Sequence, residues 1–192
     1  MVRPLNPLDP LFAWRRKDTS AVKLYGAIVA QARLPVFYQE FGVPDTLEGR
    51  FVLLSLHLFA VLHRLKTEGV VAGDLAQQLT DRFSADMETV LRELGVSDLS
   101  IPKKVRGLAA SSGALLQAYA EAFAVGDGAI AAAIAAALPL EGAPAEAAGG
   151  RLAPYLMNIV RHLEAEPFSA LRAGELRFPK VSAISGAELG DS

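Results

Sequence analysis

The side chains with the most chemical potential in this 192-residue chain are three histidines and a scatter of carboxylates and arginines. His57 and His63 fall in one apolar stretch, "GVPDTLEGRFVLLSLHLFAVLHRL", together with Arg50 and Arg64. Two histidines that share a metal ion on a helix stand about three or four residues apart, on one face. His57 and His63 are six apart, which is roughly 240° around a helix at ~100° per residue, so they cannot hold one ion. His162 and Glu166 have i,i+4 spacing, but Pro167 follows and no third ligand is visible. No HExxH, GxGxxG or P-loop occurs, and no GxSxG elbow. The chain contains no cysteine, which removes thiolate ligands, disulfides and a cysteine nucleophile. The "SSG" at 111–113 sits in helical periodicity, where small residues allow close packing, and Asp86 and Glu93 read as a solvated face. No catalytic residue, metal or cofactor is therefore expected, and the chain reads as a non-enzyme.

The polar residues of the quoted stretch divide between two surfaces. Leu47, Phe51, Leu54, Leu58, Val61 and Leu65 recur at spacings of three and four. Arg50, His57 and Arg64 repeat every seven residues, about 60–100° to one side of Leu47, and form a strip along the flank of that stripe. Val52, Leu56, Phe59 and His63 lie on the far side. A helix apolar on nearly two faces is either central in a bundle or presents a patch to a partner. Within the strip, Arg50 is expected to bridge to Asp86 or Glu93 on a neighbouring helix and His57 to donate to a buried carbonyl. The competing role is to rim the apolar face and orient a client. Arg64 is read as surface.

Helix signals place these residues. Residues 1–17, with three prolines and a basic triplet, read as an irregular leader, and Asp18 or Thr19 caps a helix to about Arg33. Pro35 opens a short helix, "PVFYQEF", stopped by Gly42 and Pro44. Asp45 with Glu48 reads as a capping box for the long helix from about 45 to 68. Asp74 and Ser84 are expected to cap two separate helices, the second ended by Gly95. Ser100 caps a helix that closes at Gly126, and an Ala-rich helix follows to about Leu138. Residues 139–150, "PLEGAPAEAAGG", read as an internal linker, the next helix is "APYLMNIVRHLEAE", "LRAGELRFPKV" docks as a short extended segment, and 181–192 read as a disordered tail. The fold class is all-α: one domain over 18–180, a bundle of seven to eight helices around a central long one.

Composition narrows the function. Hydrophobic residues make up 52% and charged residues 21%, which is globular rather than disordered. With a formal charge of −2 the chain is no electrostatic binder of DNA. Basic residues cluster locally at Arg15–Lys17 and at Lys103, Lys104 and Arg106. The second cluster opens a helix, the end where the macrodipole favours acidic residues. It is therefore the expected docking edge toward a ribosome or membrane surface. No apolar run reaches the ~18–20 residues of a membrane span and no secretory signal is apparent. The expected address is cytoplasmic, peripheral on the inner face of the cytoplasmic membrane.

The stretch "LYGAIVAQARLPVFYQEFGVPDTLEGRFVLLSLHLFAVLHRL", with "DMETVLRELGVSDLSIPKKVRGLA" after it, resembles the ubiquinol–cytochrome c chaperone family. The resemblance covers about residues 22–125, and "GELRFP" is similar to the family's C-terminal end. Phe37, Tyr38, Pro44, Asp45, Gly49, Arg50, Phe51, His57, Asp86, Met87, Arg92, Glu93, Gly95 and Asp98 match its pattern. The resemblance implies a bacterial, non-enzymatic assembly factor for respiratory complex III whose partners are newly synthesised cytochrome b or other complex III subunits. The mitochondrial relatives bind newly made cytochrome b and associate with the ribosome near its tunnel exit. Client-binding candidates are Phe37, Tyr38, Arg50, His57, Phe59 and Arg92. The rival from another class is a helical small-molecule or lipid-binding domain with hydrolytic activity. A closed, deep apolar cavity would favour that rival, and an open apolar surface rimmed by charge would favour the chaperone.

Overall fold

A computed structural model describes the backbone of residues 9–93 and 101–181 and the side chains of residues 19–90 and 112–181. Eight helices occur among the described residues: α1 (Asp9–Ala32), α2 (Val36–Gln39), α3 (Leu47–Lys66), α4 (Val70–Glu93), α5 (Ile101–Val125), α6 (Asp127–Ala137), α7 (Ala143–Ala165) and α8 (Phe168–Arg172). No strand occurs among them, and none of the helices is long and apolar enough to cross a membrane. The fold is an all-α bundle in a single domain.

Helix α3 is the axis of the bundle. It packs against α1, α4, α5 and α7. Thirteen of its 20 residues are buried, including every one from Val52 to Val61. That explains why its apolar residues extend well beyond one face: a helix packed by four neighbours buries most of its circumference. Leu53, Leu56 and Leu58 are fully enclosed, and each contributes roughly 1.5–3 kcal/mol of transfer free energy. The last two long helices, α6 and α7, pack tightly on each other. A Cβ at Gly149 would run into the Ala131 carbonyl and the Ala135 side chain, so this glycine sets how closely the pair approaches.

Several expected boundaries move. The leader read over 1–17 is helical from Asp9 onward, because Pro10 falls in the first turn, where its missing N–H costs nothing. Asp18 and Thr19 are then interior rather than caps; residues 1–8 lie outside the described residues. The two helices expected from Asp74 and Ser84 are one, α4, and it begins at Val70. Ser84 donates its hydroxyl to the Thr80 carbonyl one turn back at 3.0 Å, so its side chain caps nothing and the helix passes through. The linker read over 139–150 is short. Helix α7 starts at Ala143 with Pro144 in its first turn, and Gly149 and Gly150 lie inside it because close packing on α6 outweighs their poor propensity. After α8, residues 173–181 are irregular and lie over the body, with the Phe178 ring 5.4 Å from that of His57. Gly95, the expected stop of α4, and the tail from 182 lie outside the described residues.

Candidate functional site

The N-terminus of α3 is built differently from the expected capping box. Thr46, not Asp45, is the N-cap: its hydroxyl accepts the Gly49 N–H at 3.1 Å. Gly49 is required there, since a Cβ would collide with the Pro44 carbonyl. Asp45 is thereby released to accept from Arg50 Nε at 2.7 Å, and both side chains are more than half exposed. This replaces the expected bridge from Arg50 to Asp86 or Glu93. Asp86 accepts instead from the Tyr25 hydroxyl at 2.9 Å; burial, then the Asp86 charge, holds Tyr25 protonated far above the usual tyrosine range.

Beside this pair lies a groove between α1, α3 and α4. Its apolar walls are Val29 and Ala32 of α1, Leu47, Phe51 and Leu54 of α3, and Met87 and Val90 of α4, enclosing about 320 Å³. Leu47, expected to face inward, is 44% exposed at its rim; it is the first residue of α3. Adjoining the groove, and sharing Arg33, Tyr38 and Arg50 with it, is a polar mouth lined also by Pro35, Gln39 and Asp45. The Arg50 guanidinium's hydrogen bond holds the Asp45 carboxyl below its ordinary range. Burial raises the Tyr38 phenol, against the pull of Arg50 and Arg33. No group in the mouth is positioned as a nucleophile with an adjacent base. The Tyr38 hydroxyl donates to the Ala32 carbonyl at 3.4 Å, so what the arrangement can do is hold an apolar surface beside the charged groups of Arg33, Asp45 and Arg50.

The strip of Arg50, His57 and Arg64 does not act as one edge. Its flank runs from the exposed start of α3 into the α3–α7 interface. His57 is fully buried. Its Nδ1–H donates to the Leu53 carbonyl at 2.7 Å. That tautomer leaves Nε2 to accept the Tyr155 hydroxyl at 2.8 Å, whose oxygen accepts from Gln31 Nε2 at 3.0 Å. Phe37, Tyr155 and Phe178 surround the ring, and burial pushes the imidazole down to about 4. Arg64, read as surface, is buried. Its Nε donates to the Leu163 carbonyl at 2.9 Å and a terminal nitrogen to the Glu166 carbonyl at 3.0 Å, while Glu68 takes the other at 2.6 Å. It closes the C-terminal end of α7, where carbonyls lack helical partners.

Of the client-binding candidates, the structure therefore brings Tyr38 and Arg50 to the groove. Phe37, His57 and Phe59 are core residues; Phe59 packs on Tyr119, Phe123 and His63. The side chains of Arg92 and of Lys103, Lys104 and Arg106 lie outside the described residues. Sequence reasoning missed Arg33 as a site residue because a lone arginine at a helix end carries no periodic signal. Met87 was visible in the family pattern without a role. Among the described residues no group of three metal-ligating side chains occurs, and His162 approaches Glu166 only to 3.8 Å.

A family model described as ubiquinol-cytochrome C chaperone matches residues 39–178. The chain is similar to the ubiquinol-cytochrome-c reductase complex assembly factor 1 of Xenopus laevis, with 24% identity over 121 residues that cover 63% of this chain and 60% of the relative. The chain thus spans less than two thirds of that curated relative's length. It is also similar to a crystal structure of the Cbp3 homolog from Brucella abortus, at a TM-score of 0.76 and 35% identity, covering 86% of this chain and 92% of that one.

Proposed function

The chain belongs to the ubiquinol–cytochrome c chaperone family, a family of assembly factors rather than enzymes, and from that premise we propose that it holds newly made cytochrome b during assembly of ubiquinol–cytochrome c reductase, in the groove between α1, α3 and α4. The observation that carries the proposal is the groove itself: an apolar trough under a half-exposed Leu47, beside a charged mouth with which it shares Arg33, Tyr38 and Arg50. A client being held for a membrane complex presents apolar side chains that need temporary cover, and release requires a site that is open rather than sealed. The same openness disfavours the rival reading of a lipid- or small-molecule-binding hydrolase, which calls for an enclosed cavity and an activated nucleophile. Peripheral placement at the membrane or the ribosome belongs to this reading through the basic edge at Lys103, Lys104 and Arg106.

Leu47→Asp tests the groove without damaging the fold. An acidic residue in the first turn of α3 is favoured by the helix dipole, so the denaturation midpoint should stay at or above the wild-type value. A carboxylate on the rim should still block an apolar client. In a strain lacking the native gene, the variant should leave assembled complex III as low as the deletion does. Normal complex III levels with Leu47→Asp would remove the groove from the mechanism.

A further inference from the structure

The polar mouth of the groove is unbalanced. Arg33 and Arg50 both line it, with Tyr38, whose hydroxyl donates to the Ala32 carbonyl at 3.4 Å, against a single carboxylate, Asp45; a second carboxylate, Asp86, lines the adjoining trough. Asp45 engages Nε of Arg50, and the two terminal nitrogens have no partner among the described residues, so they can meet a second carboxylate end-on. Arg33 makes no ion pair among the described residues. The Asp45–Arg50 pair is exposed, and such pairs exchange readily with solvent and other ions. On the opposite wall the Asp86 carboxylate is engaged by Tyr25. Below the mouth, Phe51, Leu54, Met87 and Val90 offer only apolar surface.

We propose that the groove selects an apolar protein segment carrying a carboxylate, that Arg33 and Arg50 receive this carboxylate, and that Asp45 competes with it for Arg50. This deepens the client-binding reading and rests on it. A protein segment fits better than an anionic lipid. The apolar part, about 320 Å³, is at the small end of the ~300–1,000 Å³ typical of ligand pockets and takes roughly two or three side chains. The resident competitor is itself an aspartate side chain.

The test uses the full chain and a synthetic amphipathic helical peptide of Leu and Phe with one central Glu, its Gln counterpart, and phosphatidylglycerol vesicles. By fluorescence anisotropy the Glu peptide should bind about five- to tenfold more tightly than the Gln peptide. Arg33→Gln should abolish that advantage. Asp45→Asn should strengthen the Glu peptide several-fold and leave the Gln peptide unchanged. Both sites are exposed and neither caps α3, and unchanged denaturation midpoints would confirm that the variants fold. Equal binding of the two peptides, both blocked by Leu47→Asp, would overturn the carboxylate selection while leaving the groove as a client site. Binding of neither peptide, or binding indifferent to Leu47→Asp, would overturn both. Vesicle binding that depends on Arg33 and exceeds peptide binding would overturn the proposal in favour of a lipid.

Discussion

At the scale of single residues, His57 shows how one sequence signal can serve packing rather than contact. Its two ring nitrogens tie α3 to itself through Leu53 and to α7 and α1 through Tyr155 and Gln31. His57→Ala should cost about 2–5 kcal/mol, from the lost ring and the stranded Tyr155 hydroxyl, measurable by chemical denaturation. The histidine also sets a pH dependence. Its native value lies near 4, below the ordinary 6.5. The unfolded chain therefore takes up a proton on acidification before the native one does. The contribution is whole above pH ~6.5 and is lost as pH falls toward ~4, at up to ~1.4 kcal/mol per pH unit. Wild-type stability should fall more steeply over that window than that of His57→Gln; equal slopes would place the titration elsewhere. Arg64 makes the complementary case. Its sevenfold spacing from His57 was legible, but its burial was not, because the carbonyls it satisfies, Leu163 and Glu166, lie about a hundred residues away in sequence. Arg64→Met should destabilise by ~2 kcal/mol or more by leaving those carbonyls unpaired.

At the scale of elements, the long helix α3 was readable from its period and its start signal, but the signal was assigned to the wrong residue. "PDTLEG" offers both Asp45 and Thr46 as caps, and only the backbone decides between them. Thr46 is extended and receives the Gly49 N–H. Thr46→Ala should cost about 0.5–2 kcal/mol, whereas Asp45→Ala should leave the denaturation midpoint near wild type; the opposite ranking would restore Asp45 as the cap. Boundaries failed where local propensity met tertiary demand. Ser84 looked like a start but bonds back into its own helix. Gly149 looked like a linker residue, yet it lets α7 approach the Ala131 carbonyl of α6. Gly149→Ala should therefore destabilise despite its better helix propensity, because the backbone it meets cannot yield.

At the scale of the whole molecule, the all-α class was legible in the helical periodicity and cap signals along the chain, and the central place of α3 in a helix apolar on nearly two faces. The groove was not legible, because its walls come from three helices and its mouth joins Arg33 to Asp45 and Arg50 across two turns. The basic edge is a sequence-level feature, and its expected behaviour is electrostatic. Neutralising Lys103, Lys104 and Arg106 together should reduce co-sedimentation with ribosomes or anionic membranes, and raised salt should do the same to the wild type. On the proposed function, newly made cytochrome b occupies the groove beneath Leu47. A photo-crosslinking residue placed at Leu47 during synthesis of cytochrome b tests this directly. Val70, which is 98% exposed at the start of α4, serves as the apolar control. Cytochrome b should crosslink to position 47 and not to position 70. A crosslink from 70 without one from 47, or none from either while complex III assembles normally, would contradict it.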